Sequence, residues 1–132
     1  MVEIVAEVEV RPTEDLDKVK KALSTAISVT DFVVEEIAAG YRVVRAKCTS
    51  VECLEPLRNA IKAQQIGPAV RSYLHKHWRG GALTILMHKQ AAYAGKVSLV
   101  DSERESPLGP IRIEVLGTEE EVNGVVEYLT GE

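Results

Sequence analysis

Residues 2–10 alternate between aliphatic and mostly acidic side chains, with a period of two residues. Successive side chains of a β-strand point to opposite faces, so this pattern predicts a strand with one buried face. The apolar face holds Val2, Ile4, Ala6, Val8 and Val10, and Pro12 ends the strand. Such a strand has to be covered by a second layer, which restricts the fold to a sheet packed against helices or another sheet.

Amphipathic helices are predicted at four places by apolar residues spaced three and four apart. Thr13, Ser50 and Thr118 are the predicted N-caps, and Thr118 forms a capping box with Glu121. Pro56 is tolerated only in a first helical turn, which favours a start near Glu55 for the second helix. The apolar positions of the four helices are Leu16, Val19, Leu23 and Ile27; Leu54, Leu57 and Ile61; Val70, Tyr73 and Leu74; and Val122, Val125, Val126 and Leu129.

Five further strands are predicted at residues 31–37, 41–49, 82–88, 97–100 and 111–115, with turns at 38–40 and 106–110. The resulting order is β-α-β-β-α-α-β-β-β-α. Strands in neighbouring pairs and helices in groups are typical of an α+β protein. We therefore predict one domain over residues 1–132, a two-layer sandwich with a mostly antiparallel sheet and helices on one face.

Composition and sequence pattern exclude several classes of protein. No apolar run approaches the roughly 20 residues that a membrane-spanning helix needs, and Glu3, Glu7 and Glu9 interrupt the segment where a secretory signal would be apolar. We expect a cytoplasmic protein. The two cysteines, Cys48 and Cys53, are too few for a secreted disulfide scaffold, and buried inert thiols are the expectation.

Charge is segregated along the chain, although the net charge is only −4. Residues 56–100 contain no Asp or Glu, yet they contain seven Lys or Arg residues and all three histidines. A local positive field attracts a polyanion even when the whole protein is acidic. We therefore predict RNA binding through phosphate contacts, with Tyr93 or Trp78 stacking on a base. The predicted contacts are Arg58, Lys62, Arg71, Lys76, Arg79, Lys89, Tyr93 and Lys96.

The segment from Lys89 to Val97 is the most informative part of this basic region. A short helix closed by Gly95 would place Lys89 and Tyr93 on one face, at positions i and i+4, with Lys96 beside them. Such a surface suits phosphate contact and base stacking. The alternative is a helical turn that packs Ala91, Ala92 and Tyr93 into the core and leaves the lysines in water.

Signatures of catalysis and metal binding are missing from the sequence. His75 and His77 are two residues apart and do not share a helix face, and the spacing of the two cysteines is unusual for zinc. Cys53 has no identifiable base or oxyanion donor, and no phosphate-cradling glycine loop occurs. We expect no enzyme activity, no cofactor and no metal.

Two motifs carry a resemblance to a known family. The stretch Lys89-Gln90-Ala91-Ala92-Tyr93-Ala94-Gly95-Lys96-Val97 and the stretch Glu105-Ser106-Pro107-Leu108-Gly109-Pro110-Ile111 resemble the signature of the archaeal uncharacterised protein family 0201, as does the opening Arg11-Pro12-Thr13-Glu14-Asp15. The chain departs from the family around Pro56 and Gly67-Pro68. The resemblance implies a fold like that of the ribosomal large-subunit protein that binds 5S RNA, and the family is labelled RNA-binding.

Two other functions remain open. A homodimeric structural or protein-interaction subunit could use the first strand and residues 97–100 as sheet edges that pair with a second copy. An enzyme acting on a small anionic substrate could use Lys89, Lys96 and His88. Neither needs a nucleic-acid ligand.

Overall fold

A computed structural model describes residues 2–28, 31–105 and 109–131, and its centre is one six-stranded sheet. The strands follow the order β2-β3-β1-β6-β5-β4, and all five neighbouring pairs are antiparallel. Their bounds are β1 Glu3–Val10, β2 Val33–Ala38, β3 Tyr41–Cys48, β4 Trp78–Arg79, β5 Ala82–Met87 and β6 Ile111–Leu116.

Five helices cover one face of this sheet, which confirms the predicted α+β sandwich. They are α1 Leu16–Leu23, α2 Glu55–Gln64, α3 Gly67–Lys76, α4 Lys89–Tyr93 and α5 Glu119–Thr130. The alternation read from residues 2–10 sets the core, since Ile4, Ala6, Val8 and Val10 are all at most 1% exposed. They join the apolar stripes of the helices in one continuous cluster.

The other face of the sheet carries alternating charges. Glu7 of β1 lies opposite Arg45 of β3 and Arg112 of β6 in the strand register. Arg45 donates hydrogen bonds of 2.8 Å to both Glu7 and Glu35 of β2. Opposite charges side by side across strands stabilise the pairing modestly and leave this face without a uniformly positive patch.

Several predicted boundaries change in the structure. β1 lies in the middle of the sheet and not at an edge, because it pairs with both β3 and β6. Residues 97–100 form no strand; only a single bridge joins Leu99 to Met87. Asp15, and not Thr13, caps α1 by accepting a hydrogen bond from the Asp17 amide. The predicted turn at residues 106–110 includes Ser106, Pro107 and Leu108, which lie outside the described residues.

Other predicted details are confirmed. α2 begins at Glu55 after a 3₁₀ turn at Val51–Leu54 that Ser50 caps, and Thr118 and Glu121 form the complete capping box of α5.

Gly81 directly precedes β5, and a Cβ atom there would clash with the Gly117 carbonyl oxygen. The Gly117 amide donates to the Gly81 carbonyl at 3.0 Å. This close approach fixes the start of α5 relative to the sheet.

The two cysteines form a disulfide, so the expectation of two inert thiols is wrong. Cys48 at the end of β3 is bonded to Cys53 in the 3₁₀ turn, five residues further on. No local sequence pattern predicted this pairing, because the distance between the two sulfur atoms depends on how the chain turns after Cys48. The bond holds the beginning of α2 against the end of β3.

Reducing this disulfide should lower the free energy of unfolding by about 2 kcal/mol, because a short loop is released in the unfolded chain. Urea unfolding followed by circular dichroism, with and without dithiothreitol, measures the difference. The double variant Cys48→Ser/Cys53→Ser serves as the control and should not respond to the reductant. An identical midpoint for the native chain in both conditions would contradict the stabilising role.

Candidate nucleic-acid interface

The seven cations of the acid-free segment lie on different elements of the fold. Two are on α2 and two on α3, while Arg79 is on β4, Lys89 on α4 and Lys96 in the loop after α4. Three of them pair with carboxylates from outside the segment. These pairs are Lys76 with Asp101, Lys89 with Glu14, and Arg71 with Glu127.

Lys89 is buried, so the structure leaves no exposed surface for the phosphate contact predicted at this residue. Its side chain is 0% exposed, and its ammonium lies 3.1 Å from Glu14 Oε1 and 2.7 Å from the Glu9 carbonyl oxygen. Burial lowers the pKa of Lys89, opposed by the hydrogen bond to Glu14. The ammonium is therefore used inside the protein, where it ties α4 to the end of β1 and the loop that follows.

The Tyr93 side chain is also hydrogen-bonded to Glu14. α4 ends as predicted, with Gly95 beyond it at φ +75°, but Tyr93 remains 36% exposed and Ala92 packs into the core. The Tyr93 hydroxyl donates to Glu14 Oε2 at 2.8 Å. Burial raises the pKa of Glu14, yet the Arg11 amide, Tyr93 and Lys89 together hold it below its ordinary value. Glu14 therefore accepts hydrogen bonds from Arg11, Lys89 and Tyr93. Neither alternative predicted from the sequence for this segment included these contacts.

Lys76 and His77 at the end of α3 converge on Asp101. The Lys76 ammonium lies 3.1 Å and His77 Nε2 2.9 Å from Asp101 Oδ1. The hydrogen bond from His77, followed by that from Lys76, lowers the pKa of the Asp101 carboxyl. Tyr73 stacks on the His77 ring at a centroid distance of 4.2 Å and donates to the Val100 carbonyl. This cluster fastens the loop after α4 to α3.

A groove of about 510 Å³ brings two of the predicted cations together between α2, α3 and α5. We call it the helical groove. Gln65, in the left-handed conformation at φ 57°, ends α2, and α3 begins two residues later at Gly67. This short turn places Lys62 and Arg71 on one groove. Its lining residues are Ile61, Lys62, Gln65, Gly67, Pro68, Arg71, Leu129, Thr130 and Gly131.

Arg58 extends the cationic side of the helical groove. It lies one turn before Lys62 on α2, at positions i and i+4, which share a helix face. Its guanidinium stands 5.0 Å from the centre of the Tyr128 ring on α5, a cation–π contact. Arg58 Nε is buried and has no hydrogen-bond partner among the residues that the structure describes. Arg58 and Arg71 therefore contact side chains of α5 from two neighbouring helices, and Lys62 lines the same groove as Arg71.

Residues of α5 complete this region and were missed by the sequence analysis. The Arg71 guanidinium donates to Glu127 and, at 3.3 Å, to the Thr130 hydroxyl. The Arg71 hydrogen bond lowers the pKa of the Glu127 carboxyl. Glu127, Tyr128 and Thr130 lie more than fifty positions after Arg71, so only the packing of α5 against α2 and α3 brings them here.

The remaining predicted cations lie away from the groove lining. Arg79 is exposed on the two-residue edge strand β4, and Lys96 is exposed beyond Gly95. No salt bridge to either is found within residues 2–28, 31–105 and 109–131. Of the predicted contacts, Lys62 and Arg71 thus line one groove with Arg58 one helical turn away, and the others lie elsewhere on the fold.

Metal clusters and membrane-spanning helices are not found in the described part of the chain. Its residues include no cluster of three His, Cys, Asp or Glu side chains that could hold a metal ion. No helix in that part is both long and apolar enough to cross a membrane.

The protein is an α+β sandwich with an all-antiparallel sheet, and a cationic groove lies between the helices on the covered face. A family model described as RNA binding matches residues 3–116. The UPF0201 protein of Metallosphaera sedula is 40% identical over 129 residues, which cover 98% of this chain and 87% of that protein. The UPF0201 protein of Thermococcus kodakarensis is 39% identical, covering 84% of this chain and 78% of that protein.

A solved structure agrees. The crystal structure of the UPF0201 protein from Methanococcus jannaschii has a TM-score of 0.83 and 27% sequence identity, and covers 98% of this chain and 93% of that chain. The chain belongs to the UPF0201 family, as its motifs suggested. The expected likeness to the ribosomal protein that binds 5S RNA stays a prediction.

Replacing Lys89 by Met should destabilise the fold by about 3 kcal/mol, because the Glu14 carboxylate would remain buried without its cation. Urea unfolding at neutral pH measures the change. The exposed Lys96→Met variant is the control, with an expected change within about 0.5 kcal/mol. Equal stability of the two variants would show that the Lys89–Glu14 pair does not hold α4 in place.

Proposed function

We propose that this chain binds RNA and that its phosphate contacts are Arg58, Lys62 and Arg71 around the helical groove. The observation that carries the proposal is that Lys62 and Arg71, from two helices, line one groove, with Arg58 one turn before Lys62 on the same face of α2. The description of the family model as RNA binding supports the same function. Phosphate contacts of this kind fix the orientation of a nucleic acid without reading its sequence.

The groove suits phosphate better than the segment around α4 does. Lys89 has no exposed surface, and the Tyr93 hydroxyl already donates a hydrogen bond to Glu14. Lys62, by contrast, is exposed and has no salt-bridge partner in the described ranges. α3 also begins at the groove with Ile66 as an N-cap that makes no side-chain hydrogen bond. The amides of its first turn add positive potential near Lys62 and Arg71.

Fluorescence anisotropy with a labelled RNA hairpin, at several salt concentrations, tests this function. Phosphate binding releases counterions, so the logarithm of the association constant should fall linearly with the logarithm of salt concentration. The variant Arg58→Gln/Lys62→Gln should bind more weakly and reduce the magnitude of that slope by about two, roughly one for each lost contact.

The matched control is Arg79→Gln/Lys96→Gln, which removes the same charge from the same acid-free segment outside the groove. It should keep the salt slope of the native chain. Equal losses in the two double variants would place binding in the general charge of the segment and not in the groove. Absence of hairpin binding by the native chain at low salt would refute the proposed function itself.

A second function, homodimerisation, is favoured by the exposed edge of the sheet. Every residue of β2 is exposed, and Val33 and Ile37 are 64% and 56% exposed. Within the described residues only β3 pairs with β2, so the outer backbone groups of β2 are available to another strand. A second copy that extended the sheet from β2 would cover these apolar side chains.

Light scattering at micromolar concentration should then give the mass of a dimer for the native chain. The variant Val33→Lys/Ile37→Lys should give the monomer mass, because two ammonium groups per copy would oppose burial of the edge. Arg79→Gln on the opposite edge strand serves as the control and should remain dimeric. A native chain of monomer mass would remove this alternative.

A further inference from the structure

We infer that Glu127 competes with RNA phosphate for the Arg71 guanidinium, so that the helical groove accepts a phosphate at Arg71 only when Glu127 moves away. This inference rests on the proposed function. It assigns to an acidic side chain of α5 the control of one of the three phosphate contacts.

The geometry around Arg71 makes such an exchange simple. One terminal nitrogen of the guanidinium donates to Glu127 Oε1, and the other donates to Thr130 Oγ1 at 3.3 Å. The Thr130 hydroxyl in turn donates to the Val126 carbonyl at 2.7 Å, so its lone pairs face Arg71. When Glu127 leaves, Thr130 still orients the guanidinium, and the donors released from Glu127 match the paired oxygens of a phosphate.

The Arg71–Glu127 pair is exposed enough to be replaced. The two side chains are 41% and 48% exposed, and ion pairs at such positions contribute little to stability. The backbone carbonyl of Glu127 accepts from the Gly131 amide, which keeps the end of α5 in place whichever way the side chain turns. Rotation of the carboxylate into water therefore does not require α5 to unfold.

Competition by a tethered carboxylate also favours polyanions over single phosphates. Glu127 is held beside Arg71 by the packing of α5, so its effective concentration is high. A free phosphate ion displaces it only at a concentration above that value. A nucleic acid gains further contacts at Arg58 and Lys62 in the same binding event. Those contacts offset the loss of the Arg71–Glu127 pair, whereas inorganic phosphate has no comparable gain.

The test compares Glu127→Gln with Glu120→Gln, using the labelled RNA hairpin. Both variants remove one negative charge from an exposed position of α5, but Glu120 lies in the first turn, far along the helix from Arg71. Glu127→Gln should raise the affinity for the hairpin by about two- to fivefold, the range expected for the loss of an exposed ion pair. Glu120→Gln should change it by less than about 1.5-fold.

A double-variant cycle isolates the role of Arg71. In the Arg71→Gln background, Glu127→Gln should no longer increase affinity, because the contested guanidinium is missing. Inorganic phosphate at millimolar concentration, matched in ionic strength with chloride, should compete with the hairpin more effectively on Glu127→Gln than on the native chain.

The outcomes separate the two proposals. Hairpin binding by the native chain with no gain in Glu127→Gln would overturn the competition and leave the proposed function standing. An equal gain in Glu120→Gln, or an undiminished gain in the Arg71→Gln background, would also overturn it, because the effect would then be one of net charge. No binding by the native chain or by any variant would end both proposals.

Discussion

The position of β1 between β3 and β6 is the constraint on which the rest of the molecule depends. β1 is the first strand of the chain, yet it pairs on one side with Tyr41–Cys48 and on the other with Ile111–Leu116. Each pairing closes a long loop, so its entropy cost has to be met by the burial of the aliphatic face of β1. β6 thereby reaches the middle of the sheet. α5 follows it immediately through Gly117 and Thr118 and packs against α2, α3 and β5.

The helical groove is a consequence of this topology. Lys62 and Arg71 meet because a left-handed Gln65 allows α3 to turn back directly after α2. Tyr128 contacts Arg58, and Glu127 contacts Arg71. Both contacts form only because α5 follows β6 into the same helical layer. The same arrangement places the Glu127 carboxylate beside Arg71, which lies in a segment of the sequence without Asp or Glu. The two cations therefore come together through a local turn, whereas the insertion of β1 between β3 and β6 places the Glu127 carboxylate beside Arg71.

The sequence predicted the helices and strands well, but it predicted poorly which of them are neighbours in space. Particular residues show the physical reasons. Alternation in residues 2–10 and the capping box of Thr118 and Glu121 are local signals, and both are confirmed. The middle position of β1 is set by non-local pairing, which a period of two residues cannot report. Lys89 shows the same limit, because its partner Glu14 lies 75 positions away and no local pattern links them. Charge segregation along a chain therefore overstates charge segregation on its surface.

This limit bears on how strongly the three proposed phosphate contacts would hold RNA. In a chain with a net charge of −4, long-range attraction is weak, so affinity has to come from short-range contacts. Three phosphate contacts correspond to a loss of affinity of roughly 40-fold between 50 and 200 mM salt, far less than the roughly thousandfold or greater loss for proteins with twice as many contacts or more. Under the proposed function, such a protein would select RNA by the shape that presents phosphates to α2 and α3 together. Recognition by backbone geometry is typical of folded RNA, whose base edges are poorly accessible in the deep major groove.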